Sequence, residues 1–340
     1  MFGRLLANTL TIGVMMAIVL GLTELALPHV VTLRNVGASF TEYDPVMWKR
    51  LKPNFRTVRV TPEFTMAFST NSLGARGPEP RVELKRPILF LGDSFTMGYG
   101  VSDGEEFPAL IQQDLLKREG SGAPFVLNLG MGASGNGFWL KHLAHTAPKL
   151  APRLVVLQVL NNDFWDNHVE RLFELNAAGE LVELPVPQPG LARRVQKLIE
   201  RVPGLASSNL VGLIRQAASS DPESALRTAA VPTASPPTPA KTSLEAGDAL
   251  TVKLVEAAIR RCQREGWPVI LMSVGLPGPQ QLAIRQMAES LRAPILELPS
   301  KQQRPDLYFQ IDGHWNTKGN VDAANQLQAR IDELKLLAAP

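Results

Sequence analysis

The stretch PILFLGDSFTMGYG, residues 87–100, decides the fold. Its apolar run, Ile88–Leu91, ends in Gly-Asp-Ser. A short run without polar residues is typical of a strand buried on both faces of a parallel sheet, and the glycine marks the turn that ends it. We therefore predict a strand here that places Asp93 and Ser94 at its carboxyl end.

The same pattern recurs along the chain. Further apolar runs lie at 125–130, 153–160, 268–275 and 294–299. The amphipathic stretches between them predict helices at 106–118, 137–149, 248–265, 279–292 and 318–336. In the first of these, Phe107, Ile111 and Leu115 recur at helical spacing, as a helix that covers one face of a sheet requires. The alternation predicts one α/β domain with a parallel sheet, which we bound at residues 86–337.

Two segments depart from this alternation. Residues 31–85 form a lead-in segment with short strand-like pieces. Residues 170–245 form an insert that begins with a hairpin around Ala178-Gly179. The insert continues with amphipathic pieces at 191–202 and 209–218. Within it, residues 217–243 are rich in Ala, Pro, Ser and Thr, so we expect disorder there because few apolar side chains offset the entropy of ordering.

The N-terminus carries an uncharged apolar run, Leu5–Leu22. Its length suits a helix that crosses the hydrocarbon core of a bilayer, and Glu24 and Pro28 are expected to end it. We interpret residues 1–30 as a single-pass membrane anchor, which places the rest of the chain in the periplasm or outside the cell. A cleaved signal peptide is the alternative, although Leu25–Leu27 makes a poor cleavage site.

Composition excludes several classes of function. Lys and Arg total 35 against 32 acidic residues, and no basic run suggests a surface that follows phosphates, so we expect no nucleic-acid partner. Cys262 is the single cysteine, which excludes an intramolecular disulfide and a cysteine-based zinc cage. The sequence predicts neither a metal nor an organic cofactor.

Ser94 is the strongest candidate for chemistry, because open α/β sheets place their sites at the carboxyl ends of strands. A helix cap is one alternative for the Gly-Asp-Ser turn, and a phosphate-binding loop is another. The phosphate loop lacks the lysine and the glycine spacing that such loops need. A serine hydroxyl becomes a good nucleophile only when a nearby base takes its proton and a third group orients that base.

The base is best sought among the five histidines. His314 stands in YFQIDGHWNTKGN, residues 308–320, where Asp312 is close enough along the chain to hydrogen-bond to the imidazole. The same stretch also reads as a helix start capped by Asn316 or Thr317. The other four are weaker candidates: His29 at the end of the apolar run, His142 and His145 on one amphipathic helix, and His168 beyond the third strand.

Acyl transfer also needs hydrogen-bond donors for the oxyanion that forms in the transition state. The second predicted strand ends in the glycine-rich stretch NLGMGASGNG, residues 128–137, which offers backbone N–H groups. The third predicted strand ends in LNNDFWDN, residues 160–167, where Asn162 offers a side-chain amide.

In this order, the segments GDSFTMG, NLGMGASG, NNDFWDN and DGHWN resemble the SGNH (GDSL-like) hydrolase superfamily over most of residues 87–336. The resemblance implies a flavodoxin-like three-layer fold. It implies that Ser94 is the nucleophile and first oxyanion donor, with His314 as the base and Asp312 as its partner. It also implies that Asn162 is the amide donor. The usual donor glycine of the second segment falls on Ala133, with Gly132 or Gly135 as alternatives under a shifted alignment.

The resemblance carries a functional expectation. The N-terminal run and FSTNSLGARGPEP, residues 68–80, resemble membrane-anchored bacterial members of the superfamily. We expect a serine esterase that hydrolyses an acyl ester, an O-acetyl group on an envelope glycan or lipid. The DGHWN spacing is similar to the alginate O-acetyltransferase branch, so acyl transfer to an envelope polysaccharide is a second hypothesis. Leu160, where a glycine is usual, and Ala133 motivate a third, a non-catalytic glycan-binding protein of the envelope.

Overall fold

The computed structural model describes residues 2–31, 39–80, 84–189, 191–202, 204–218 and 241–337. These residues fall into two units. The larger unit is built from Phe40–Val58, Glu63–Gln188 and Pro237–Pro340. The smaller unit is built from Met1–Ser39, Arg59–Pro62 and Pro189–Pro236.

The described strands and helices follow one another in chain order. The strands are β1 (Thr41–Asp44), β2 (Trp48–Leu51), β3 (Arg56–Val60), β4 (Thr65–Ser69), β5 (Ile88–Leu91), β6 (Val126–Asn128), β7 (Leu154–Leu160), β8 (Phe173–Leu175), β9 (Leu181–Glu183), β10 (Val269–Val274) and β11 (Ile295–Leu298). The helices are α1 (Phe2–Val30), α2 (Ser94–Met97), α3 (Phe107–Glu119), α4 (Gly137–His145), α5 (Ala147–Leu150), α6 (Asp163–Glu170), α7 (Leu191–Glu200), α8 (Asn209–Ala218), α9 (Lys241–Arg264), α10 (Gly278–Ser290) and α11 (Thr317–Glu333).

A five-stranded sheet in the order β11-β10-β7-β5-β6 forms the centre of the larger unit. Its pairs are all parallel, with Leu89 of β5 opposite Leu127 of β6 and Val155 of β7. These strands are the apolar runs that the sequence predicts. The parallel α/β fold is therefore confirmed.

Helices cover both faces of the sheet, because alternate side chains of each strand point to opposite sides. On one face, Leu89 belongs to a core cluster with Trp139 of α4 and Val255 of α9. On the other, Phe90 belongs to a cluster with Phe107 of α3 and Leu327 of α11. The unit thus has three layers, as the resemblance implies.

The structure corrects several predicted boundaries. The helix predicted at 137–149 is divided at Thr146 into α4 and α5, because Pro148 has no N–H to continue the hydrogen-bond ladder of α4. The predicted hairpin is confirmed, since β8 and β9 pair antiparallel and Gly179 has a φ of 75°. Of the predicted disordered stretch 217–243, residues 219–240 lie outside the described residues, whereas its ends belong to α8 and α9.

In the smaller unit, α1 contains a 23-residue stretch, Asn8–Val30, with a mean hydropathy of 2.1. By length and composition this helix is able to span a membrane, although a signal sequence passes the same test. The expectation that Pro28 ends the helix is wrong, since α1 continues to Val30. Pro28 cannot donate to the carbonyl of Glu24, and the Asn209 side chain donates to that carbonyl instead, at 3.1 Å.

Candidate active site

Ser94 lies at the carboxyl end of β5, in a turn that requires glycine at position 92. A Cβ atom on Gly92 would lie 2.1 Å from Thr96 Oγ1 and 2.7 Å from Gln158 Oε1. The Asp93 side chain caps α2 by accepting a hydrogen bond from the Phe95 N–H at 2.8 Å. Ser94 is thus the first residue of this short helix, and the cap is Asp93.

Asp312 and His314 lie at the tip of a loop that enters α11. Both ends of the loop are fixed, because the Phe309 N–H donates to the His314 carbonyl at 2.8 Å and Asn316 caps α11 by accepting from the Gly319 N–H. Gly313, between the two side chains, has a φ of 87°, a conformation that favours glycine. The loop therefore turns within three residues and presents Asp312 and His314 together.

The structure brings Ser94, His314 and Asp312 into one chain of hydrogen-bonding atoms. Ser94 Oγ lies 2.7 Å from His314 Nε2, and His314 Nδ1 lies 2.5 Å from Asp312 Oδ1. Phe95 and Tyr99 pack against the imidazole, each with its ring centroid 5.0 Å away. The His314 and Asp312 side chains are only 23% and 25% exposed, so the ring is held in place and shielded from most of the solvent.

Residues 90–321 match the model of the GDSL-like lipase/acylhydrolase family. The chain belongs to this family. Because the family consists of acylhydrolases, the chain is an ester-bond hydrolase.

The hydrolase is also similar to solved structures. Esterase EstA from Pseudoalteromonas sp. is 14% identical, with 74% of this chain and 98% of that chain covered and a TM-score of 0.44. An acetyl xylan esterase, AlAXEase, is 15% identical, with 72% and 99% covered and a TM-score of 0.43. A two-domain esterase active on acetylated mannans is 13% identical, with 75% and 50% covered and a TM-score of 0.43. No curated protein matches the chain.

The loop after β6 in this hydrolase contains the three residues predicted as backbone donors, Gly132, Ala133 and Gly135. Gly132 lies beside the nucleophile, since a Cβ atom on it would be 3.8 Å from Ser94 Cβ. Ala133 has a φ of 52°. Gly135 packs against Asn167, where a Cβ atom would lie 2.3 Å from Oδ1. Gly132 lies next to Ser94, and the N–H of Ala133 belongs to the peptide that follows Gly132. The donor role of Ala133 stays a prediction.

Asn162 lies at the start of α6, after β7, as the sequence indicates. Its Nδ2 donates to Asp166 Oδ2 at 2.8 Å, one turn further along the chain. The amide therefore has a carboxylate partner in this structure. Its role as an oxyanion donor stays a prediction.

A buried polar network connects the loops after β6 and β7. Asp163 accepts hydrogen bonds from the Asn136 side chain at 2.8 Å and the Leu160 N–H at 3.0 Å. Asn167 donates to Asn136 Oδ1 at 3.0 Å. Burial raises the pKa of Asp163 well above its usual range. The sequence does not predict this network, for which its only signal is the cluster of Asn and Asp residues at the strand ends.

Asn128 connects the loop after β6 to the nucleophile turn. Its Nδ2 donates to the Thr96 carbonyl at 2.9 Å, and its Oδ1 accepts from the Gly130 N–H at 3.0 Å. A Cβ atom on Gly130 would lie 2.2 Å from the Met97 nitrogen, so the two loops are in close backbone contact. The sequence alone does not predict this role for Asn128.

The other histidines belong to helices outside the Ser94 turn and the His314 loop. His142 is buried on α4, where burial lowers its pKa to about 3 and Nδ1 lies 3.0 Å from Thr146 Oγ1. His168 is exposed on α6, and His29 lies in the last turn of α1. Within the described ranges, no group of three or more His, Cys, Asp or Glu residues is arranged to hold a metal ion.

The buried carboxyl group of Asp93 should make the stability of the fold depend on pH, and replacing Asp93 should remove that contribution. Burial raises its pKa to about 6 from 3.8, against the opposing effects of the Phe95 N–H and His314. The folded state therefore binds this proton more tightly than the unfolded chain, so the contribution of Asp93 to stability falls as pH rises from about 4 to 6. Asp93→Asn keeps an acceptor oxygen for the Phe95 N–H and does not titrate.

Urea unfolding in detergent solution at several pH values tests this expectation. Between pH 3 and pH 7, wild type should lose about 3 kcal/mol of unfolding free energy relative to Asp93→Asn. A constant difference between the two proteins would show that Asp93 does not titrate in this way.

Proposed function

We propose that this hydrolase cleaves a small acyl ester by serine chemistry, with Ser94 as nucleophile, His314 as base and Asp312 as the partner of the base. The observation that carries the proposal is the pair of contacts on opposite imidazole nitrogens, 2.7 Å to Ser94 and 2.5 Å to Asp312. In the neutral ring, Nδ1–H donates to the carboxylate and Nε2 accepts the serine proton. Asp312 then stabilises the imidazolium that forms.

The reaction has two halves. Ser94 Oγ attacks the ester carbonyl carbon while its proton passes to His314 Nε2, and collapse of the tetrahedral intermediate returns that proton to the leaving alcohol. The acyl group now forms an ester with Ser94. Water then attacks the acyl carbon and gives a proton to Nε2, and collapse of the second intermediate releases the carboxylic acid and restores the Ser94 hydroxyl.

We further propose that the oxyanion is bound by the Ser94 N–H, the Ala133 N–H and the Asn162 amide. One observation supports each backbone donor: Ser94 is the first residue of α2, whose initial N–H groups lack partners within the helix, and the residue before Ala133 lies beside Ser94. Asn162 would exchange its bond with Asp166 for one to the oxyanion. Each donor is expected to lower the barrier by about 3 kcal/mol.

For the substrate we propose an O-acetyl ester of a cell-envelope glycan or lipid. A small acyl group suits the packing beside the nucleophile, where the Met97 methyl carbon lies 3.4 Å from the position of a Cβ atom on Gly132. The envelope location is supported by the length and hydropathy of α1, which we propose anchors the chain in the membrane.

Covalent labelling with a fluorophosphonate probe tests the nucleophile. Wild type should be labelled and Ser94→Ala should not, because the probe phosphorus is attacked only by an activated serine oxygen. Ser290→Ala is the control, since its hydroxyl donates to the Met287 carbonyl within α10. An unlabelled wild type would instead favour a glycan-binding protein without turnover.

Replacement of the base should abolish turnover. His314→Ala is expected to reduce kcat on a chromogenic acetyl ester by roughly 10³-fold or more, because Ser94 loses its proton acceptor. His145→Ala removes an exposed imidazole from α4 and should leave kcat unchanged. Circular dichroism of both variants checks that the fold is retained. Wild-type kcat in His314→Ala would contradict the assigned role.

The same acetyl ester separates hydrolysis from acyl transfer. We expect acetate release at the same rate with and without a saccharide acceptor, because water alone accepts the acyl group in an esterase. An acetylated saccharide that appears only when the acceptor is present would support the O-acyltransferase, for which the one-residue spacing of Asp312 and His314 is the supporting feature.

A further inference from the structure

Charged side chains that precede the central sheet contact three loops of the proposed site. We define the clamp segment as residues 40–58 and 63–80, which include β1, β2, β4 and the stretch FSTNSLGARGPEP. None of these residues takes part in the chemistry proposed above. Three of them, Arg76, Lys49 and Glu63, each bind backbone groups of a different active-site loop.

Arg76 holds the chain that follows the nucleophile. Its guanidinium donates to the carbonyls of Met97 at 2.8 Å, Gly98 at 2.5 Å and Val101 at 2.7 Å. The side chain is fully buried. These carbonyls lie at and beyond the end of α2, where helix carbonyls lack partners within the helix, so Arg76 fixes the carboxyl end of the helix that begins at Ser94.

The local sequence around Arg76 explains how it is aimed. The Asn71 side chain accepts hydrogen bonds from the N–H groups of Leu73 and Ala75 at 3.0 and 3.1 Å, which closes a tight turn. Gly74 within the turn has a φ of 72°, and a Cβ atom there would lie 2.7 Å from the Leu51 carbonyl oxygen. The Arg76 N–H then donates to the Asn128 carbonyl at 3.0 Å, which fixes Arg76 beside β6.

Lys49 holds the loop that carries the proposed backbone donor. Its Nζ donates to the carbonyls of Ala133 and, at 3.2 Å, Gly132. The Gly132 carbonyl and the Ala133 N–H belong to one planar trans peptide and point in opposite directions. By fixing the carbonyl, Lys49 therefore also fixes the direction of the Ala133 N–H. Glu170 lies 3.5 Å from Nζ, and both side chains are buried.

Glu63 holds the loop that carries the base. Its two carboxylate oxygens accept from the N–H groups of Ile311 at 2.8 Å and Asp312 at 2.6 Å. Hydrogen bonds from N–H groups to a carboxylate are stronger than those between neutral groups. Glu63 thus fixes the backbone from which the Asp312 side chain reaches His314.

We propose that the clamp segment positions the active site, with Arg76, Lys49 and Glu63 as positioning residues that set the nucleophile turn, the oxyanion loop and the Asp312-His314 loop, respectively. The inference rests on the proposed function, because these loops matter together only if they perform the serine chemistry. It assigns a role to the FSTNSLGARGPEP stretch, whose Arg76 holds the chain that follows the nucleophile.

Glu63 provides the first test, by steady-state kinetics of the full chain on the chromogenic acetyl ester. Glu63→Ala should lower kcat about tenfold with little change in KM, because the misplaced dyad affects the chemical step more than substrate binding. Glu63→Gln keeps one acceptor oxygen and should recover part of the loss. Glu79→Ala is the matched control, since Glu79 accepts from the Ser72 N–H at 2.8 Å in the same manner without contacting an active-site loop.

Lys49 provides the second test. Lys49→Met, made together with Glu170→Gln so that no unpaired charge stays buried, should lower kcat about tenfold or more at unchanged KM, because an oxyanion donor acts in the transition state. Arg50→Met is the control, since Arg50 is the next residue of β2, is 49% exposed and pairs with Glu42. Circular dichroism and thermal unfolding of each variant check that the fold is retained.

The outcomes separate the clamp from the chemistry. If wild type is active and folded Glu63→Ala and Lys49→Met/Glu170→Gln keep its kcat, or if the control variants lose as much, the clamp is overturned while the serine mechanism stands. If wild type shows neither turnover nor labelling, the proposed function fails and the clamp fails with it. Loss of kcat in both test variants, with partial recovery in Glu63→Gln, supports the clamp.

Discussion

The contact between Ser94 and His314 is the interaction on which the rest of the site depends. It joins two side chains 220 residues apart in the chain, and its 2.7 Å length leaves little tolerance for movement of either loop. The parallel sheet provides the first part of the required rigidity. Because β5 lies between β6 and β7, the turn at its carboxyl end has a fixed origin. On the other side, the Asn316 cap ties the His314 loop to the start of α11.

Polar side chains provide the remaining rigidity, because loop backbone beyond the edge of the sheet has no neighbouring strand to bond to. Buried N–H and C=O groups need hydrogen bonds, and side chains supply them where the sheet cannot. Asn128 and Arg76 serve the nucleophile turn in this way, and Asp163 serves the loops after β6 and β7. Burying polar side chains for this purpose also lowers stability. The raised pKa values of the buried carboxyl groups of Asp93 and Asp163 show that burial disfavours their charged forms.

Strands and side-chain pairs that depend on residues close together in the chain can be predicted from the sequence. Apolar runs of four to eight residues predict buried strands, and all five central strands are found where such runs occur. Asp312 and His314 could be paired in advance because only Gly313 separates them. The clamp contacts could not be predicted from the sequence, because Glu63 is 248 residues from Ile311 and Lys49 is 83 residues from Gly132. The donor to the Glu24 carbonyl, which Pro28 leaves without its helical partner, is likewise distant in the chain, since it is Asn209.

The buried Lys49–Glu170 pair is better explained by a role in positioning the loop after β6 than by a contribution to stability. Removing two charges from water costs about as much as their mutual attraction returns, and apolar pairs of similar size often stabilise a fold as well or better. Burial already raises the pKa of Glu170 to about 7, with Lys49 opposing the rise. An apolar side chain in place of Lys49 would give the Gly132 and Ala133 carbonyls no donor. Since those carbonyls determine where the adjoining N–H groups point, a buried ammonium satisfies a geometric requirement that close packing alone does not.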